Sequence, residues 1–122
     1  MEHLFVPYKI ALELKEKGFN EPCLGFFKEE KFHTCFSFAY NQEEAEKFYK
    51  AISAPLYQQV MDWFREKHNI HLAVDFEYLT NKYDVMFQEK TKGRWERYTR
   101  YYASVTYNEA LNKGIEEALK LI

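Results

Sequence analysis

Glycine and proline are scarce in this chain, four and three among 122 residues, which excludes a low-complexity or extensively disordered polymer. Cysteine is scarcer still. Cys23 and Cys35 could form one disulfide, but without a wider cysteine framework a lone pair reads as reduced, partly buried thiols of a cytoplasmic protein. Neither sign of charge dominates: 17 Lys and Arg against 19 Asp and Glu leave −2, so no whole-molecule attraction draws the chain to nucleic acid. No stretch approaches the roughly 20 apolar residues that cross a bilayer, and the charged segment Lys9–Lys17 interrupts any targeting core near the start. No membrane partner is therefore expected. Also missing are a phosphate-cradling glycine loop, a His-Glu-x-x-His run and a serine nucleophile elbow. No cofactor, metal or catalytic residue is assigned on this basis.

What the chain has in excess is rings, 11 Phe, 10 Tyr and 2 Trp, or 19% of its residues. Such rings can close a small core, and a class this abundant cannot all belong to a ligand site. The length fits one domain over 1–122. Pro7 opens a helix reaching Lys17, with Ile10, Ala11 and Leu14 on its packing face and Gly18 free to adopt a left-handed cap. Residues 23–28 and 32–39 read as a hairpin about the polar turn Lys28–Lys31. Asn41 and Glu44 have capping-box spacing before a short helix. Ser53 and Pro55 mark the start of a longer helix, with Leu56, Val60, Trp63 and Phe64 along one face. Residues 70–78 and 83–90 alternate as a second hairpin around Thr80–Asn81–Lys82, Lys90–Arg100 is less regular, and Thr106 and Glu109 cap a final amphipathic helix.

These elements predict an α+β fold: one four-stranded, mostly antiparallel sheet with three major helices packed on one face. The helix-then-hairpin order occurs twice, with starts at Pro7 and Pro55, and suggests a weak αββ duplication. Phe36, Val60, Phe64, Val74 and Val85 are expected in the core.

Three groups of residues resemble a known family. Phe5-Val6-Pro7-Tyr8 with Gly18-Phe19 and Glu21-Pro22-Cys23, then Ala54-Pro55-Leu56-Tyr57-Gln58-Gln59 with Trp63-Phe64-Arg65-Glu66-Lys67, then Thr106-Tyr107-Asn108-Glu109-Ala110 are similar to the opening, centre and end of one set of small proteins. That set comprises small uncharacterised proteins of gut Bacteroidales and their phages or prophages. The resemblance spans nearly the whole chain and implies a mobile-element origin. It carries no activity.

The segment Lys90–Tyr102 interleaves five cations with four rings. With Glu96 its local charge is +4, a composition suited to phosphates and stacked bases, with Arg94 and Arg97 on phosphates and Trp95 or Tyr98 on bases. The same pattern also suits a packed, solvated connector or a surface for another protein. His68, His71 and Asp75 lie close in sequence, and His33, Cys35 and Cys23 could meet across the first hairpin, but neither spacing fixes a metal shell or an acid–base pair. Asp75, Glu77 and Asp84 could share an acidic strand face. Taken together, the sequence favours a small non-catalytic protein-interaction or structural protein, a homodimer or the partner of another protein. A nucleic-acid-binding accessory protein using Arg94, Trp95, Arg97 and Tyr98 is the alternative, and a small enzyme with a nonstandard site comes third. One convex apolar patch would favour the first reading; a pocket of converging histidines and acids would favour the third.

Overall fold

Helix α1, Tyr8–Glu16, begins where Pro7 leaves extended geometry and ends in a left-handed turn at Gly18, whose φ is 88°. The Gly18 amide donates to the Lys15 carbonyl and the Phe19 amide to the Leu14 carbonyl, a Schellman closure in which buried Leu14 and Phe19 supply the apolar contact. In this computed structural model the described residues are 1–35, 37–91, 94–104 and 106–122, with side chains described for all of these except Phe87 and residues 91–104. The chain divides into two units, Met1–Val60 and Met61–Ile122.

In the first unit, strands β1 (Gly25–Lys28) and β2 (Lys31–Thr34) form the expected hairpin, followed by helix α2 (Gln42–Tyr49) and strand β3 (Ile52–Ala54). The antiparallel sheet order is β2-β1-β3. Gly25 lies opposite both Thr34 and Ala54, and a Cβ there would sit 2.9 Å from the Ala54 carbonyl oxygen and 2.9 Å from the Phe5 ring. Only glycine admits so close an approach. Rings occupy both faces of the hairpin: Phe27 meets Phe32 and Tyr8 on one, and Phe26 stacks on His33 and Tyr49 on the other. Helix α2 starts with the expected capping box, in which Asn41 Oδ1 accepts from the Glu44 amide at 2.9 Å and Glu44 Oε1 from the Asn41 amide at 3.1 Å. Gln42, buried beneath it, donates from Nε2 to the Ala51 carbonyl (3.1 Å) and accepts at Oε1 from the Ser53 amide (2.8 Å). One side chain thereby takes the place of a neighbouring strand along β3.

Helix α3, Tyr57–His68, starts in the first unit and ends in the second. The second unit continues with β4 (Ile70–Glu77), β5 (Lys82–Thr91), β6 (Arg94–Ser104) and helix α4 (Tyr107–Leu119), in sheet order β4-β5-β6, all antiparallel. Thr106 caps α4 by accepting from the Glu109 amide at 3.1 Å. The helix lies on all three strands and buries Ala110, Leu111, Gly114, Ile115, Ala118 and Leu119. Ala110, Gly114 and Ala118 form a line of small residues at four-residue spacing, so the backbone comes close enough for a Cβ at Gly114 to overlap Val85.

Among the described residues the expected four-stranded sheet is therefore corrected to two separate three-stranded sheets with four α-helices. Each hairpin recruits its own third strand, which local periodicity does not disclose. Strand β3 is only three residues long, and Ser53, read above as a helix start, lies in it; α3 begins at Tyr57. Strand β6 covers Arg94–Arg100 of the stretch read as irregular, and β5 its first two residues. The alternation of β6 is broken because it carries an extra residue between the partners of Tyr83 and Val85 and another between those of Phe87 and Gln88. The duplication is not carried either, since the first strand is central in one sheet and the middle strand in the other. The second strand of the first hairpin stops at Thr34 rather than residue 39. Val60, Phe64 and Val85 are buried as expected, Val74 is only half-buried, and Phe36 lies outside the described residues.

Two substitutions test this packing. Gly114→Ala gains about 1 kcal/mol of helix propensity but forces α4 off Val85, a cost of roughly 1–3 kcal/mol, so urea unfolding should show a net loss. A stabilised variant would show that the helix can move away freely. Gln42→Leu leaves the Ala51 carbonyl and the Ser53 amide buried without partners, at about 1–3 kcal/mol each. A loss below ~0.5 kcal/mol would mean that water reaches β3.

Candidate functional site

Of the basic aromatic segment, Lys90 and Thr91 end β5 and Arg94–Tyr102 lie in β6, while Lys92 and Gly93 are outside the described residues. Along β6 the register sets Arg94 opposite Thr91, Trp95 opposite Lys90 and Arg97 opposite Gln88, while Tyr98 falls at a register shift. The side chains of these four residues lie outside the described ones.

The histidine and cysteine groupings do not assemble. His68 packs edge-on against Trp63, with ring centroids 4.5 Å apart, and lies 6.2 Å from Phe64. Burial against these rings lowers its pKa. His71 lies on β4 opposite Gln88. His33 is exposed and stacks on Phe26 at 5.3 Å. Cys23 is buried, and its thiol donates to the Glu21 carbonyl at 3.3 Å. Burial is the main reason the Cys23 pKa is pushed up to about 12; Ser53 beside it offsets only part of this, and the Ser53 hydroxyl has no hydrogen-bond partner of ordinary geometry. A thiol in that state is a poor nucleophile. Both cysteines are free. Asp75 lies opposite Asp84 and Glu77 opposite Lys82, so the acidic strand face includes a lysine. Among the described residues no group of three or more His, Cys, Asp or Glu is placed to hold a metal ion.

What the structure does bring together is apolar surface at the tip of the second hairpin. Ile70, Leu72, Val74, Phe76 and Tyr78 alternate along one face of β4 and its extension, and exposure rises along that face from buried Ile70 and Leu72 to Phe76 at 52% and Tyr78 at 79%. Leu79, in the turn itself, is 80% exposed. The cause is a mismatch of lengths. The ten residues of β5 extend about 33 Å, whereas the 13 residues of α4 extend about 20 Å, so the helix cannot cover the whole apolar face. A file of rings marks where cover ends: Tyr107, in the first turn of α4, meets Tyr83 at 5.8 Å, and Tyr83 meets Phe76 at 5.1 Å. The turn is shaped by Glu77, which accepts the Leu79 amide at 3.1 Å, and by Asn81 at a φ of 59°. Sequence reasoning identified this turn but not the tip as a surface. The signal was present in Tyr78-Leu79, two large apolar residues where a turn is ordinarily polar.

Comparison with family models, with curated proteins and with solved structures finds no match. Among the described residues no helix is long and apolar enough to cross a membrane.

His68 offers a test of the packing around α3. Protonating it is costlier in the folded chain than in the unfolded one, so its contribution to stability is full above an imidazole pKa of 6.5 and is lost as pH falls through that value, levelling off below the lowered one. Unfolding free energies measured between about pH 7.5 and 5 should fall more steeply for the wild type than for His68→Gln. Equal slopes would show that the ring stays hydrated against Trp63.

Proposed function

We propose that this chain is a small non-catalytic protein-interaction protein whose principal contact surface is the tip of the β4–β5 hairpin. The supporting observation is that the apolar face of β4 continues past the helix that covers it, through Phe76 and Tyr78 to Leu79. Covering such side chains releases roughly 1.5–3 kcal/mol each, and an exposed apolar patch at a hairpin tip suits a protein partner better than a small molecule. The apolar stripe of the amphipathic helix α4 lies against its own sheet, which leaves the tip as the apolar surface open to a partner.

A second copy of the chain is the partner proposed first, since one identical tip can cover another about a two-fold axis. A cytoplasmic setting belongs to the same reading, supported by two free thiols, as does the mobile-element association implied by the resemblance to the Bacteroidales and phage proteins.

Sedimentation velocity across micromolar to millimolar concentration tests the proposal. The wild type should approach twice the monomer mass, while a Tyr78→Ser, Leu79→Ser double variant with unchanged circular dichroism should stay monomeric. A wild type that is monomeric throughout overturns the dimer. A dimer that survives the double substitution overturns the assignment of the tip.

A further inference from the structure

A second exposed aromatic feature, in the first unit, uses none of the residues of the hairpin tip. Tyr40 is fixed at its centre. Its amide donates to the Cys23 carbonyl at 2.9 Å, its carbonyl accepts from the Cys23 amide at 2.8 Å, and its hydroxyl meets that of Tyr49 at 3.4 Å. The next residue, Asn41, caps α2. Two further rings lean on Tyr40: Phe38 at 6.4 Å and 44°, and Phe48 at 6.1 Å and 66°. Both are open to solvent, at 65% and 56%. The three inclined rings make a corner rather than a flat stack.

The group already lying on this corner is a cation. Lys47 Nζ sits 5.7 Å from the centroid of the Phe48 ring, on a surface whose quadrupole presents negative charge. Helix α2 brings the carboxylates of Glu43 and Glu44 to this end of the unit, while Glu46 is paired with Lys15 at 3.6 Å. The Glu44 carboxylate is held at the amide of Asn41, directly beside Tyr40. An anionic ligand would meet these carboxylates, and a neutral apolar one would gain nothing from them. A cation gains from both the rings and the acids.

We propose that Phe38, Tyr40 and Phe48 form an open aromatic corner that binds the ammonium group of a trimethylated lysine on a partner protein. Methylation spreads the charge over a larger and less strongly hydrated surface, so the cation keeps its attraction to the rings while giving up less water than an unmodified lysine. Lys47 is the internal competitor. It lies over one face of the still exposed Phe48 in the free chain and gives way to the ligand.

The test is an NMR titration of the full chain with a short, otherwise neutral peptide carrying trimethyl-lysine. It is set against the same peptide with an uncharged tert-butyl side chain of equal shape, and against choline. The expected result is amide shifts centred on Phe38, Tyr40 and Phe48, with the trimethyl-lysine peptide about tenfold tighter than the uncharged one. Lys47→Ala should tighten binding severalfold and Tyr40→Phe should preserve it. Phe38→Leu and Phe48→Leu, both at exposed positions, should abolish it while the rest of the spectrum stays native. Equal affinity for the charged and uncharged peptides, no shifts at all, or shifts elsewhere in the chain would overturn the site. Choline binding as tightly as the peptide would overturn the partner protein as its source.

Discussion

The first unit depends on one carboxamide. Strand β3 is too short to hold its place by pairing on one side alone, and its other side would carry buried, unpaired backbone groups. Gln42 supplies both missing partners at once, a donor to Ala51 and an acceptor for Ser53, and so combines in one residue what a fourth strand would otherwise provide. The same residue opens α2, whose capping box fixes where the helix starts. Edge, helix and turn are therefore locked as one arrangement. The positions of Phe48 and Tyr49 on α2, and through Tyr49 the hydroxyl of Tyr40, follow from it. The exposed ring corner stands on a buried polar interaction, and that polar interaction determines its shape.

The second unit is governed by a different constraint, the distance between helix and sheet. A line of Ala110, Gly114 and Ala118 brings α4 down onto Val85, where a larger residue would lift it. Close approach buries Ile70, Leu72 and Val85 almost completely. A residue advances about 1.5 Å in a helix against about 3.3 Å in a strand, so a helix of similar residue count covers less than the length of its sheet. The uncovered remainder is apolar because the alternation of β4 continues beyond the point where the helix stops.

The parts of this arrangement set by neighbours in sequence were legible in advance. Pro7 and Gly18, Asn41 with Glu44, and Thr106 with Glu109 mark four helix boundaries through hydrogen bonds spanning three to five residues. Both hairpins were visible from alternation about a turn. The parts set by long-range pairing were not. Ile52–Ala54 has no periodicity to read, and it becomes a strand only because Gly25 admits its carbonyl and Gln42 closes its far side. Two extra residues break the alternation of β6, so its rings and cations read as irregular until the register is known. The ring corner joins Phe38, Tyr40 and Phe48 through a bridge between Cys23 and Tyr40 that no local pattern announces.

The surplus of rings reads differently once burial is known. A composition this aromatic suggests a core built of rings, yet among the described residues the side chains buried most completely are Ile10, Leu14, Ile70, Leu72, Leu111, Ile115, Val6, Val60, Val85 and Pro55, with Phe64 the one aromatic. Aliphatic side chains fill the narrow gaps between closely approaching backbones, because a branched chain fits where a planar ring does not. Phe5, Phe19, Phe27, Tyr57 and Trp63 join Phe64 among the buried residues, and other rings stand at the margins, partly open to water. There they touch one another: His33 on Phe26, Phe26 on Tyr49, Tyr49 on Tyr40 in one unit, and Tyr107 on Tyr83 and Tyr83 on Phe76 in the other. Such contacts hold each ring in one orientation before any partner arrives, which lowers the entropic cost of binding at that surface. A largely aliphatic centre with rings fixed against one another at its margin thus presents preorganised apolar surface, and the proposed role in protein interaction rests on that division of labour.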